Sequence, residues 1–205
     1  MPATVAGMAR SHRMNSMKRP SGKLRIIGGE YRSRIIAFAA APGVRATPDR
    51  VRQTLFDWLA PVIDGARCVD LFAGSGALGL EALSRGAAHV TFVETGAKQV
   101  AAIRAALATL GAGARATVVQ GDAIACLRSA PENSFEIAFL DPPFDSGLLA
   151  PALEALPRVL CADARVYAEW HRDGALPWPA AYAPIREKKA GQVSYALATS
   201  DPATA

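Results

Sequence analysis

The tetrapeptide Asp141-Pro142-Pro143-Phe144 closes an apolar run with a carboxylate, two rigid residues and an aromatic ring. Proline fixes its own φ and donates no backbone N–H, so carbonyls beside the pair keep a set direction. A carboxylate and a carbonyl held this way suit an amino group conjugated to a nucleobase. Such an amine is a weak nucleophile, because its lone pair is delocalised into the ring. Acceptors on its two N–H bonds return electron density to nitrogen and aim the lone pair at an electrophile. Asp141 supplies one acceptor, and its own carbonyl or that of Pro142 the other. Phe144 offers a face on which the base can stack. The implied chemistry is a direct displacement, governed by positioning and charge. None of Cys68, Cys126 or Cys161 is placed to form a covalent intermediate.

A second constellation lies upstream, in "VDLFAGSGALG" at residues 69–79. Asp70, Phe72, Ala73, Gly74, Ser75 and Gly76 form a turn of small residues between a strand and a helix. There the backbone can approach a ligand closely, and the helix start offers free N–H donors. Glu94 ends the next strand and can accept two ribose hydroxyls. Gly74, Gly76 and Gly79 also spell the dinucleotide fingerprint, so the loop alone admits NAD or S-adenosylmethionine. Asp70 and Asp122 favour the second. A carboxylate at Asp70 suits a cationic amino-acid moiety better than a pyrophosphate. Asp122, followed by Ala123, can meet an adenine amino group, though it also fits the start of a helix as a cap.

These residues need a frame. From Gly65 onward strand, loop and helix alternate: strands over 67–72, 89–94, 116–120, 135–141 and 164–170, with helices over 77–85, 96–110, 122–129 and 147–160, the last interrupted at Pro151 and Pro157. That rhythm predicts an α/β fold of Rossmann-like type, a mostly parallel sheet covered by helices on both faces. Residues 181–199 read as an antiparallel hairpin turning at Gly191. Such sheets bind ligands at the carboxyl ends of their strands. Upstream, 23–46 reads as a β-hairpin extension around Gly28–Gly29. A helix is expected from Thr47, with Thr47 as its cap, Pro48 in its first position and Val51, Leu55, Phe56 and Leu59 on one face. Residues 1–22 read as a basic tail without order, leaving 47–200 as the main domain.

Charge is spread unevenly. Residues 1–52 carry 11 Lys/Arg and two acids, a net of +9, whereas the other 153 residues carry a net of −4. A polyanion gripped at the basic end is the simplest reason, with Arg25, Arg32, Arg34, Arg45, Arg50 and Arg52 as candidate contacts. The "EKK" run at 187–189 is either a hairpin surface or a second such contact. The three cysteines and three histidines show no metal-ligand spacing. Free thiols fit a reducing cytoplasm, and no apolar run reaches the ~20 residues of a membrane span. Glu169 and His171 in "AEWHRD" invite an acid–base reading, but solvated polar residues are common at a strand end.

The stretches "RIIGGEYRSR", "RATPDRVRQTLFDWL", "VDLFAGSGALGLEALSRGA", "DPPF" and "KKAGQVSYAL" together resemble the RsmD-type methyltransferases, from about Leu24 to Leu197. The resemblance implies transfer of a methyl group from S-adenosylmethionine to guanine N2 of 16S ribosomal RNA, within the small ribosomal subunit or an assembly intermediate. It implies cofactor contacts at Gly74, Gly76, Glu94 and Asp122, and the target amine at Asp141–Phe144. Thr47 and Arg52 lie near the methionine end of the cofactor or serve as cap and surface charge. Where the family reads Arg-Pro-Thr, this chain has Arg45-Ala46-Thr47. A DNA or other base-amine methyltransferase and a non-catalytic RNA-binding module are the alternatives. Extruding a base costs a few kcal/mol, and one aromatic stack returns about 1–3 kcal/mol. Net affinity must then come from phosphate contacts, so binding to small-subunit RNA is expected to fall steeply with salt. An affinity unchanged between low and high salt in a filter-binding titration would contradict this.

Overall fold

The computed structural model describes residues 21–40, 46–176 and 178–200. Seven strands form one sheet: β3 (Arg67–Asp70), β4 (His89–Glu94), β5 (Ala116–Gln120), β6 (Phe135–Leu140), β7 (Leu160–His171), β8 (Tyr182–Ala190) and β9 (Val193–Ser200). Their order is β5-β4-β3-β6-β7-β9-β8. β5 through β7 are parallel, and β9 and β8 pair antiparallel at one edge. Chain order reverses beside β3, between β4 and β6. This is where an open α/β sheet leaves a crevice at its carboxyl edge. The Rossmann-like expectation is met.

The sheet's central strands are buried on both faces, so their sequences are almost continuously apolar. Phe92, Phe139 and Tyr167 point to one side. There they pack with α1 (Asp49–Leu59), α2 (Ala77–Ser84) and α3 (Ala97–Leu110). Val69, Val93, Ala138, Leu140 and Val166 point to the other, towards α4 (Ala123–Ser129) and α5 (Leu149–Ala155). Pro157 ends the expected long helix in a single 3-10 turn, Pro157–Val159. β7 starts four residues earlier than its sequence pattern predicts.

The N-terminal hairpin, β1 (Ser21–Arg25) with β2 (Ile35–Ala39), is a separate two-stranded sheet. It includes Ser21 and Gly22, which the sequence assigned to the tail; the rest of that tail lies outside the described residues. Leu24, Ile26, Ile36 and Phe38 bury against the main core. The hairpin therefore covers α2, and every residue of α2 is buried. Contact is close enough to dictate glycine. A Cβ on Gly29, whose φ is +75°, would stand 1.7 Å from the carbonyl oxygen of Ser84.

A buried ion cluster holds this layer in place. Glu81, in mid-α2, is fully buried. Its carboxylate accepts from the backbone N–H of Ile27 and of Gly28, each at 2.9 Å, and from Arg52 at 3.3 Å and Arg85 at 3.0 Å. Arg52 is also fully buried, and it donates to the carbonyls of Thr47 (3.0 Å) and Arg25 (2.8 Å) and to Asp49 (2.7 Å). Expecting Arg52 at a polyanion-binding surface is thus corrected. Its guanidinium is committed to the hairpin, α1 and α2, because a buried cation needs every donor satisfied.

Removing one partner of a buried ion pair leaves the other uncompensated, at a cost of about 3–5 kcal/mol. Glu81→Ala is expected to lose that much unfolding free energy in urea. A loss below about 1 kcal/mol, the size of an exposed pair, would show the cluster to be incidental.

Candidate active site

The sheet's register builds the site. In β3–β4 Asp70 lies beside Phe92, in β3–β6 beside Phe139, and in β6–β7 Phe139 lies beside Tyr167. Side chains two residues further along a strand return to the same face. Glu94 and Glu169 therefore share the next rung, on the face that carries α1, and Asp141, just past β6, meets Thr47 there, whereas Phe72 turns to pack on the opposite face. Three carboxyl groups thus gather on the α1 side, with Asp70 just beneath. Asp122 stands apart, past the end of β5.

The glycine turn follows β3. Gly76, with φ +76°, occupies the left-handed region that glycine tolerates best, and caps α2. Ser75 is buried, and the Ala73 N–H donates to the carbonyl of Val93, 3.0 Å away. Asp70 lies 2% exposed beneath the turn and accepts from the N–H of Gly79 at 3.0 Å. Glu94 spans the crevice. One oxygen accepts from Gly74 N–H (2.8 Å) and the other from Gly96 N–H (2.7 Å). Asp122 caps α4 by accepting from Ala125 N–H at 2.9 Å, with Ala123 buried behind it. The cap is real, and it leaves the second carboxylate oxygen available.

Electrostatics agree with this placement. Burial pushes the carboxyl of Asp70 up to about 7; the Gly79 bond opposes the rise, and the charges of Asp141 and Glu94 add to it. Burial likewise lifts Asp141 to about 7, against a hydrogen bond from the Thr47 hydroxyl. Glu169 is raised well above the usual carboxylate range, by burial first and then by the charge of Asp141. Tyr167 donates to it at 2.8 Å. Carboxyl groups this close and this dry resist ionising together.

Two residues enter that the sequence reading undervalued. Thr47 does not cap α1. The helix begins at Asp49, after Pro48, without a side-chain cap. Thr47 is buried, and its hydroxyl lies near enough to Asp141 to favour that residue's charged form. Glu169 is no solvated strand end: it is 3% exposed. It lines a cavity of about 230 Å³ together with Pro142, Pro143, Phe144, Leu148 and Trp170. Two-residue alternation from Tyr167 was the available signal for Glu169. Phe144 is 41% exposed, with its ring 6.0 Å from that of His171 and nearly perpendicular to it. Pro143 turns its carbonyl away from the site, to the N–H of Ser146.

Of the arginines proposed for polyanion contact, Arg25, Arg32, Arg34 and Arg50 are exposed. Arg25 also pairs with Asp49 at 3.0 Å. Arg45 lies outside the described residues. Among the described residues no group of three or more His, Cys, Asp or Glu could hold a metal ion, and no helix is long and apolar enough to cross a membrane.

Asp141 releases its proton near 3.8 when unfolded and near 7 when folded. The folded state thus binds more protons between those values, and raising the pH through that window costs stability. Asp141→Asn removes this titration, so the variant should gain on the parent between pH values of about 4 and about 7. Parallel pH dependences of the two urea midpoints would show Asp141 to be ordinarily solvated.

The family model described as "Conserved hypothetical protein 95" matches residues 24–199. The Ribosomal RNA small subunit methyltransferase D of Escherichia coli is 47% identical, over 88% of this chain and 94% of that protein. Its counterpart in Haemophilus influenzae is 39% identical, over 86% and 93%. Among solved structures, a putative methyltransferase from Escherichia coli superimposes with a TM-score of 0.80 at 44% identity, covering 88% of this chain and 99% of that one. A putative methylase from Haemophilus influenzae gives 0.75 at 36%, covering 87% and 99%. The family model's span takes in the extension from Leu24 onward, the glycine turn and the carboxylate residues alike. The chain belongs to the RsmD family of methyltransferases.

Proposed function

We propose that this protein transfers a methyl group from S-adenosylmethionine to the exocyclic N2 amine of a guanine in 16S ribosomal RNA of the small subunit. The observation that carries the reading is the placement of Asp141 on one face with Glu94 and Glu169, above Asp70, with Pro142, Pro143 and Phe144 opening onto a cavity. The small-subunit ribosomal RNA named for the relatives supports the substrate class. The choice of guanine N2 rests on the family likeness.

The donor set fits S-adenosylmethionine. Asp70, Glu94 and Asp122 present carboxylates to a ligand that carries an ammonium, a sulfonium and hydroxyl and amino donors, but no phosphate. The buried Asp70 carboxyl, raised by neighbouring negative charge, would be relieved by a cation. When bound, this cofactor supplies an electrophilic methyl group on its sulfonium. Glu94 would accept ribose hydroxyls and Asp122 the adenine amine.

The chain's own residues do the rest. Asp141 accepts an N–H of the target amine and aims its lone pair. Thr47 holds the carboxylate in that orientation from behind, and Arg52 fixes Thr47 through its carbonyl at 3.0 Å. Phe144 stacks on the base, and Pro142 and Pro143 deny it competing donors. Methylation leaves the nitrogen with a proton to shed. Asp141, with a proton affinity raised to about 7, can take it. The exposed Arg25, Arg32, Arg34 and Arg50 hold phosphates outside the crevice.

Tritiated methyl transfer to small ribosomal subunits from cells lacking the protein, followed by nucleoside analysis, tests this reading. Labelled N2-methylguanosine is expected from the parent. Asp141→Ala should lose at least about 100-fold in rate, in keeping with a positioned acid–base group, while still binding S-adenosylmethionine. Label in another nucleoside would overturn the substrate assignment. A variant within a few-fold of the parent would overturn the role of Asp141.

A further inference from the structure

The cavity beside Phe144 has a neighbour. Trp170, Ala175 and Leu176 line both. The second cavity, of about 330 Å³, reaches the edge of the sheet, where Trp178, Pro184, Glu187, Lys189 and Ser194 complete its wall. Register explains the grouping. Trp170, Ser194 and Lys189 form one rung across β7, β9 and β8, and Ala168, Ala196 and Glu187 form another. Side chains two apart share a face, so Trp170, Ser194 and Lys189 stand on the side opposite Glu169. The alanines leave the floor low.

Three features mark this hollow as more than a packing gap. Trp178 is braced edge-on by Tyr182, with ring centres 5.9 Å apart, and Tyr182 is anchored through its hydroxyl to the carbonyl of Leu153 at 2.6 Å. That gives a rigid aromatic wall facing out of the fold. The hydroxyl of Ser194 is wholly buried, with no hydrogen-bond partner among the described residues. Buried polar atoms are seldom left so, and each exception asks for an explanation. Finally, the rim carries cations: Lys189, on the same face, and Arg172, two residues past Trp170, are both exposed.

We propose that this second cavity is a subsite for the nucleotide next to the target base. It rests on the reading that the substrate is RNA. An unpaired base seats against Trp170 and Trp178, an arrangement that tolerates any base because each has a π-face. Lys189 takes a flanking phosphate. Glu187 and Ser194 offer polar partners to the base edge. Because Trp170 divides the two cavities, a strand leaving the first passes directly into the second. Adjacent nucleotides are a recognised source of context preference in enzymes that work on an extruded base.

Trp178→Ala, Trp178→Phe and Lys189→Glu test the subsite, with steady-state methyl transfer to small ribosomal subunits and calorimetric titration of S-adenosylmethionine as readouts. Trp178→Ala and Lys189→Glu are expected to lower kcat/KM about ten-fold or more, mainly through KM, as loss of one base stack does. Cofactor affinity should stay within about two-fold, and Trp178→Phe should retain most of the activity. If Trp178→Ala does not fold, Lys189→Glu on the exposed edge strand decides alone. Variants that match the parent's KM for subunits overturn the subsite and leave the parent reading intact. A parent that binds the cofactor yet methylates no RNA overturns that reading, and the subsite with it.

Discussion

The carboxylate of Glu81 has no water to turn to. It sits in mid-helix with zero exposure, so its charge persists only while partners from outside the helix stay in contact. Those partners are the amides of Ile27 and Gly28 from the N-terminal hairpin and the guanidinium of Arg52 from α1. One desolvated charge therefore makes three separate elements obligatory neighbours. Arg52 passes the constraint on, through the carbonyl of Thr47, to the residue whose hydroxyl meets Asp141. Hairpin, first helix and crevice form one mechanical unit, although the hairpin adds no strand to the main sheet. Such a cluster is weak evidence of stability, since a well-packed apolar set can match it. Its specificity is the better reason for it: only one docking of the hairpin satisfies every donor.

The rim poses the reverse problem. Asp70, Asp141 and Glu169 are drawn towards their neutral forms by burial and by each other. A stability-optimised protein would not gather them there. Perturbed carboxyls clustered in a cleft are what ligand-binding chemistry requires. Under the proposed function a cation above Asp70 and an amine before Asp141 would supply the compensation that the free protein lacks. Thr47 offers part of it in advance, which keeps Asp141 oriented before any substrate arrives. On this view the crevice is strained in charge rather than in backbone, and it draws on the docked hairpin for support.

Much of this was legible in the sequence. Strand and helix periods placed eight of the nine described strands and four of the five described helices closely, because apolar spacing is a local property. The glycine turn and the Asp-Pro-Pro-Phe turn declared themselves through backbone needs that few other residues meet. What failed was anything that depended on neighbours distant in sequence. Arg52 looks like a surface charge when its helix is read alone, and only the hairpin folding over it makes it buried. Thr47 matched a capping pattern that α1 does not use, since the hydroxyl has a better partner 94 residues away, at Asp141. Glu81, a lone acid in "ALGLEALS", broke an otherwise apolar helix and was the overlooked clue. Glu169 was misjudged because the β6–β7 register, which sets it beside Asp141, is not written in either strand by itself.

Charge separation ties these points to the proposed substrate. An acidic crevice should repel a polyanion, yet phosphates and base amines approach different surfaces. Asp70 and Glu169 are buried and Asp141 and Glu94 half-buried, and burial draws Asp70, Asp141 and Glu169 towards the neutral form, so their field reaches solvent weakly. The exposed arginines of the hairpin and of α1 face outward, at the far end of the cluster that Glu81 organises. A nucleic acid held there by its backbone meets the carboxylates only through an extruded base, whose amine is a hydrogen-bond donor. Under the proposed function the fold would sort a single substrate by its parts: phosphate on the cationic layer, base in the acidic one. The buried ion cluster is what joins the two layers, since Arg52 contacts both the hairpin and Thr47.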